Sequence, residues 1–325
     1  MQPKVLRANL TRQIREQGLF DQHDHVLVAV SGGQDSLHLL RWLTEGTLPA
    51  DVQPTVSAGY VNHQLRDDAD AEEALVRRTF AATPHLAHGL IETLTWEAVP
   101  TVAVEEQARE KRYEALIKMA REVGANIIVT AHHQGDQVET ILYKLTRGSR
   151  LTQLVGMAPR QQLRGDIDLA RPLLNLTKAD LADLVIQPLA EWVEDYTNAD
   201  ETFARNRMRQ TVLPALTSIN EQAAEHVVTF ATQLAALQKL ANGAINVHVK
   251  ALEAGRLDWT VDESVLTIII QTWLTKKHVL NVKDSQIAQA IQLMRNPSVS
   301  TGLIDLGGQL QLERFDNYLL LSQKH

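Results

Sequence analysis

The sequence predicts an α/β fold: a doubly wound parallel sheet over residues 1–213, then a smaller, mainly helical domain over 214–325 that ends in a hairpin. Three observations carry this expectation. Short β-branched runs alternate with helical patterns through the first half, the order that builds a parallel sheet with helices packed on it. The first run, HVLVAV, is continuously apolar and stops at a glycine pair, as a strand buried on both faces does. After Leu213 the alternation ends, Pro214 interrupts the chain, and long stretches rich in Ala, Gln and Leu follow.

The elements follow in order. The N-terminal MQPKVLRANLTRQIREQGLF has the pattern of an amphipathic helix and lacks the long apolar core of a signal peptide. Val26–Val30 is the first strand, and Ser36–Glu45 continues with apolar residues at helical spacing. Pro54–Asn62 is the second strand, Asp67–Ala82 a charged helix and Leu86–Ile91 a weaker strand. Ala103–Val123 is a long helix of both charge signs, Asn126–Ala131 another buried strand and Gln134–Thr146 a further helix. Beyond the boundary, Ser218–Leu252 forms one or two long helices, with Val261–Leu274 and Asp284–Met294 after them. The alternation around Gly307–Gly308 predicts the terminal hairpin.

Composition excludes whole classes of chemistry. The 325 residues contain no cysteine, which removes disulfides, thiolate zinc, iron–sulfur clusters and cysteine nucleophiles. No run of about 18 apolar residues exists to span a bilayer, and a cytosolic protein is expected. The net charge of −7 argues against a wholly basic nucleic-acid coat but leaves room for a local basic groove.

In a sheet of this type ligands bind at the carboxyl ends of the strands. Ser31, Gly32, Gly33, Gln34, Asp35 and Ser36 lie there, between the first strand and its helix. Glycines let backbone approach an anion, the helix start offers unpaired N–H groups, and the two serines add hydroxyls. This is a phosphate cradle without the lysine of a Walker A loop. A carboxylate beside phosphates is repelled unless a cation joins them, so Asp35 is expected to hold Mg²⁺. The plainer reading is a Gly-Gly turn capped by Asp and Ser.

Other clusters lie further along. His132, Asp136 and Glu139 fall on one face at the start of a helix, where paired carboxylates suit an ammonium group. The same trio would also suit zinc, or be a solvated charged face. Arg109 and Arg112 share a helix face and would bind phosphate bidentately, although spacing alone equally favours pairing with Glu105 or Glu106. His63 ends the second strand. Arg205 and Arg207, alternating with Arg209, form a basic strip suited to an RNA backbone or to ordinary solvated charge.

SGGQDS resembles the SGGxDS loop of the pyrophosphatase-loop, ATP-dependent adenylating enzymes. Four further segments resemble one branch, the tRNA(Ile)-lysidine synthetases: YVNHQLR with His63 and Arg66, EEQAREKRYEAL with Arg109, Arg112 and Tyr113, TAHHQGDQVETILYKLTRGS with His132, Asp136 and Glu139, and RPLL followed by DYTN…RNRMR. The resemblance covers about residues 24–215. It implies an adenine-nucleotide α-hydrolase-like fold, ATP and Mg²⁺ at Ser31–Ser36, and adenylation of the wobble cytidine of tRNA(Ile) with a CAU anticodon. Free lysine, held by His132, Asp136 and Glu139, then displaces AMP, and any of the three is a candidate to take the amine proton. His63, Arg66, Arg205 and Arg207 fall on the RNA side, and Arg109 and Arg112 on phosphate or cytidine. Larger members carry an additional C-terminal tRNA-binding domain that is not expected within these residues, either because this is a short form or because the sequence is a piece of a longer one, and a homodimer is compatible with the resemblance. The rival readings are another adenylating synthetase and a nucleotide-dependent RNA-binding protein without chemistry.

Overall fold

The computed structural model describes residues 2–64, 69–96, 104–148, 151–186, 189, 191–193, 204–279 and 282–324. Contacts divide the chain into two compact units, Met1–Thr232 and Gln233–His325. The division falls inside a long helix, beyond the 213/214 position expected from the loss of alternation.

The first unit opens with α1 (Pro3–Gln17), then β1 (His25–Val30), α2 (Gln34–Thr44), β2 (Thr55–Asn62), α3 (Ala69–Ala82), β3 (Gly89–Thr93), α4 (Val104–Val123), β4 (Ile127–Val129) and α5 (Gln134–Thr146). A strand pair, β5 (Arg160–Arg164) and β6 (Ile167–Ala170), precedes α6 (Lys178–Leu184), α7 (Ala204–Arg207), a π-helical turn (Met208–Val212), α8 (Leu213–Ile219) and the start of α9 (Ala223–Glu253), the helix in which the two units divide.

The six strands form one sheet in the order β3-β2-β1-β4-β6-β5, all parallel except the β5 edge. Strand β1 shows why its sequence runs apolar without alternation. Val26, Val28 and Val30 join the core shared with α1, α2, α3 and α6, while Leu27 faces the core built by α4 with Leu116, Met119 and Ala120. Both faces are covered, so both parities are hydrophobic.

The β5–β6 hairpin was not foreseen. Its residues RQQLRGDIDLA are mostly polar because β5 is an edge strand, exposed except at the half-buried Leu163, and charge on an edge suppresses unwanted pairing. Arg160 pairs across the hairpin with Asp168 at 2.7 Å.

The second unit takes α10 (Glu263–Lys276), α11 (Asp284–Arg295) and strands β7 (Thr301–Gly307), β8 (Leu310–Phe315) and β9 (Tyr318–Gln323). Its core joins Val249 and Leu252 with Leu266, Ile270, Leu274, Ile287, Ile291 and Leu312. The predicted terminal hairpin is a three-stranded antiparallel sheet, β7-β8-β9. The second turn escaped notice because it is built on Asp316 at φ 53 instead of on a glycine. No helix among the described residues is long and apolar enough to cross a membrane.

Candidate active site

The strand order reverses between β1 and β4, since β2 and β3 lie to one side of β1 and β6 and β5 beyond β4. At such a switch point the connections leaving the two central strands diverge and open a crevice. Residues 31–36 leave β1 and residues 130–136 leave β4. The two most distinctive sequence segments therefore flank one crevice.

The loop after β1 is held from within. Gly32 sits at φ +74, where a side chain is disfavoured, and an added Cβ would stand 3.0 Å from Glu72 Cγ. Glu72 is itself fixed by the Tyr60 hydroxyl, which donates to it at 3.0 Å. The buried Ser36 hydroxyl accepts from the Ser31 N–H at 3.1 Å and donates to the Gly33 carbonyl at 2.9 Å. Its proton thus goes to the loop's own backbone. Gly33 starts α2 with no side-chain cap, so the first-turn N–H groups there receive no capping bond from it. Gln34 opens that turn, and Asp35 follows with one carboxylate oxygen, Oδ1, buried and without a hydrogen-bond partner among the described residues. A buried orphan oxygen on a carboxylate, beside a helix start suited to anions, fits a Mg²⁺ ion bridging to phosphates.

Across the crevice, His133 caps α5. Its Nδ1 accepts from the Gly135 N–H at 2.9 Å, and its own N–H donates to Asp136 Oδ2 at 2.9 Å. His133 Nε2 lies 3.6 Å from Asp35 Oδ2 and 3.7 Å from Asp136 Oδ2. The predicted acidic pair is real, and it is already engaged by a cation of this chain. Arg209, in the π-helical turn, places Nε 2.6 Å from Glu139 Oε1 and Nη2 3.2 Å from Glu139 Oε2 and 3.3 Å from Asp136 Oδ1. Burial raises the Glu139 carboxyl above the usual range, with Arg209 acting against it. Burial lowers Arg209, but its bonds to Glu139 and the charges of Asp136 and Asp35 outweigh that and raise it. The guanidinium keeps its charge in any case, so Glu139 is the member of the pair whose protonation is sensitive.

A cationic group occupies the neighbouring wall. Arg109 lies over the Tyr113 ring at 5.1 Å and donates to its hydroxyl at 3.5 Å. Arg171, 3% exposed, donates from Nη1 to the Ala158 carbonyl at 2.7 Å and to Gln161 Oε1 at 3.1 Å, while its Nε has no partner among the described residues. Arg112 is exposed on α4. His132 Nδ1 is 2.8 Å from Thr130 Oγ1. Burial, joined by the charges of Arg171, Arg109 and Arg112 and opposed by Asp136, pushes the His132 pKa down to about 4. His132 is therefore neutral at physiological pH and able to accept a proton. Its neutral form is the one the fold accommodates, so its contribution to stability is complete above the ordinary imidazole range, near pH 6.5, and is lost as pH falls to about 4. The expected result is a His132→Gln variant whose unfolding free energy varies less than the parent's between those two pH values, measured by urea titration.

The remaining predicted residues divide. His63 follows β2 and accepts from Trp96 Nε1 through its carbonyl at 2.7 Å. Arg207 is exposed on α7. Arg66 and the side chain of Arg205 lie outside the described residues. Among the described residues no three His, Cys, Asp or Glu side chains form a metal cluster. Sequence reasoning missed His133, Arg171 as a buried site residue, and the pairing of Arg209. The doubled His-His of TAHH was the only available signal for the first. Nothing local marked Arg209, whose partners are 70 and 73 residues away.

A parallel sheet with a glycine-rich, Ser- and Asp-bearing loop at its switch point defines a PP-loop nucleotide-binding protein, and the family model for the PP-loop domain matches residues 4–216. Two curated tRNA(Ile)-lysidine synthases are similar over nearly the whole chain. The Enterococcus faecalis protein is 30% identical over 95% of this chain and 68% of its own length. The Streptococcus gordonii protein is 30% identical over 89% of this chain and 64% of its own. That of Lactiplantibacillus plantarum is 36% identical over 70% of this chain and 49% of its own. The chain belongs to the tRNA(Ile)-lysidine synthase family, and it spans about half to two thirds of the length of these relatives. Among solved structures, the U34-tRNA thiolase NcsA of Methanococcus maripaludis with its [4Fe-4S] cluster shares the fold, with TM-score 0.52 at 15% identity over 71% of this chain and 79% of that one.

Proposed function

We propose that the chain ligates lysine to C2 of the wobble cytidine of tRNA(Ile) bearing CAU, in two steps. The cytidine C2 oxygen attacks the α-phosphorus of ATP and pyrophosphate leaves. The lysine ε-amine then forms a bond to C2, and the former carbonyl oxygen departs on AMP. Adenylation converts a poor leaving group into a good one.

The observation that carries this reading is the crevice itself, with a phosphate cradle on one side and a carboxylate pair that already holds a cation on the other. Residues Ser31–Ser36 hold the triphosphate. Mg²⁺ held by Asp35 would neutralise phosphate charge. Asp136 and Glu139 receive an ammonium group of lysine, as they now receive the Arg209 guanidinium. Arg109 and Arg112 face the phosphoryl group or the cytidine, and one of His132, Asp136 and Glu139 takes the proton of the ε-amine. His63, Arg66, Arg205 and Arg207 contact RNA. Leu237, Leu240 and Val247, exposed along one stripe of α9, support self-association as a homodimer.

The test is incorporation of labelled lysine, with ATP and Mg²⁺, into a tRNA(Ile) transcript bearing CAU, with a CAU-bearing methionine tRNA as control. Label in the isoleucine tRNA alone is expected. AMP formation with another acceptor and no lysine transfer would retain the adenylating fold and remove this assignment.

A further inference from the structure

We propose that His133 is a positioning residue that couples the nucleotide site to the amino-acid site. The inference rests on the reading of Asp35 as the Mg·ATP carboxylate and of Asp136 with Glu139 as the lysine pocket.

The geometry leaves His133 few options. Its side chain is 12% exposed. Its Nδ1 accepts from the Gly135 N–H, so a neutral ring carries its proton on Nε2. That Nε2 stands between two carboxylates, 3.6 Å from Asp35 and 3.7 Å from Asp136. Both belong to different substrate sites, and one N–H faces them both.

The anchoring is reciprocal. The main-chain N–H of His133 donates to the same Asp136 oxygen that faces the ring, which closes a capping box at the start of α5. Residue 135 has to be glycine for this arrangement, because a Cβ there would lie 2.7 Å from His133 Cε1. The ring, the helix start and Asp136 therefore move together. Asp136 in turn holds Arg209 through its other oxygen at 3.3 Å. A chain of contacts runs from Asp35 through His133 and Asp136 to the cation seated on Glu139.

Two consequences follow. Drawing the Asp35 carboxylate toward a cation leaves His133 Nε2–H to Asp136 alone, which fixes that carboxylate as lysine arrives. By linkage, lysine must favour Mg·ATP by the same factor that Mg·ATP favours lysine. His133 need not touch either substrate for this, so its signature is the coupling and not the affinity for either ligand alone.

The experiment measures lysine affinity of the full chain by calorimetry, with and without Mg²⁺ and a non-hydrolysable ATP analogue. The wild-type chain is expected to bind lysine about 5- to 20-fold more tightly with nucleotide present, within the usual range for coupled sites. His133→Ala is expected to bind each ligand alone within about threefold of wild type and to bring the coupling factor close to one. His133→Asn, which can still cap the helix and donate one N–H, is expected to recover part of it. A merely structural cap would weaken both affinities and leave their ratio unchanged, so a wild-type coupling factor in His133→Ala overturns the proposal. Absence of coupling in the wild-type chain overturns it as well. No lysine binding by the wild-type chain in either condition removes the reading of the pocket itself, a result distinct from binding without coupling.

Discussion

Asp35→Asn is expected to lower pyrophosphate release by about 100- to 1,000-fold, the usual size of losing one electrostatic contact made in the transition state, while stability stays level or rises. The two halves of this expectation have one cause. Asp35 Oδ1 is buried with no hydrogen-bond partner among the described residues, an arrangement that destabilises the fold in the absence of a ligand. Asparagine has the same shape, carries no charge, and relieves the repulsion between this carboxylate and Asp136 across His133. The wild-type residue is thus a liability to folding that makes sense only if something else is bound there. The variant is also expected to bind ATP without Mg²⁺ at least as well as the wild type, because a negative charge beside the phosphates has gone. Pyrophosphate release and the thermal midpoint, measured on the same preparations, decide the matter. Activity within threefold of wild type, or a loss of activity that tracks a loss of stability, would sink the assignment of Asp35 to the metal.

How much of this was legible in the sequence depended on the range of the interactions. The parallel sheet was readable because burial on both faces writes a continuous apolar run, as in Val26–Val30, and because helix and strand alternate at once. SGGQDS and TAHHQGDQVET were readable because backbone geometry at a strand end needs glycine and small polar residues in consecutive positions. The β5–β6 hairpin was not, since an exposed edge strand has no reason to be apolar. The crevice was predicted as a set of separate clusters. What joins them, the His133 ring between Asp35 and Asp136 and the Arg209 guanidinium on Glu139, comes from tertiary placement. Asp136 and Glu139 do lie together, with Arg209 between them. That the chain would seat its own arginine there could not be read from spacing, because three arginines alternate in ARNRMR and only the fold chooses among them.

Arg209→Met is expected to lower stability by about 2 kcal/mol at neutral pH, less than the 3–5 kcal/mol of breaking a fully buried pair because the guanidinium is 40% exposed. The loss comes from stranding Glu139, whose side chain is only 7% exposed. Burial already raises the Glu139 carboxyl, and removing Arg209 takes away the main influence holding it down. A raised carboxyl favours the folded state in its protonated form, so the variant is relatively most stable below the ordinary carboxylate range. Its deficit then grows as pH rises through the raised Glu139 value. Adding Glu139→Gln to Arg209→Met is expected to recover most of the loss, since no charge is then left buried, and a double-mutant cycle in urea measures this directly. Strict additivity of the two changes would mean that the pair contributes nothing. Glu139→Gln alone has a functional counterpart. Lysine transfer is expected to fall about 100-fold, as for truncation of one partner in a desolvated charge contact, with Mg·ATP affinity unchanged because the Glu139 carboxylate is engaged by Arg209. If lysine transfer survived Glu139→Gln at the wild-type rate, the carboxylate pair would be a structural clamp for Arg209, and the amino acid would have to bind elsewhere in the crevice.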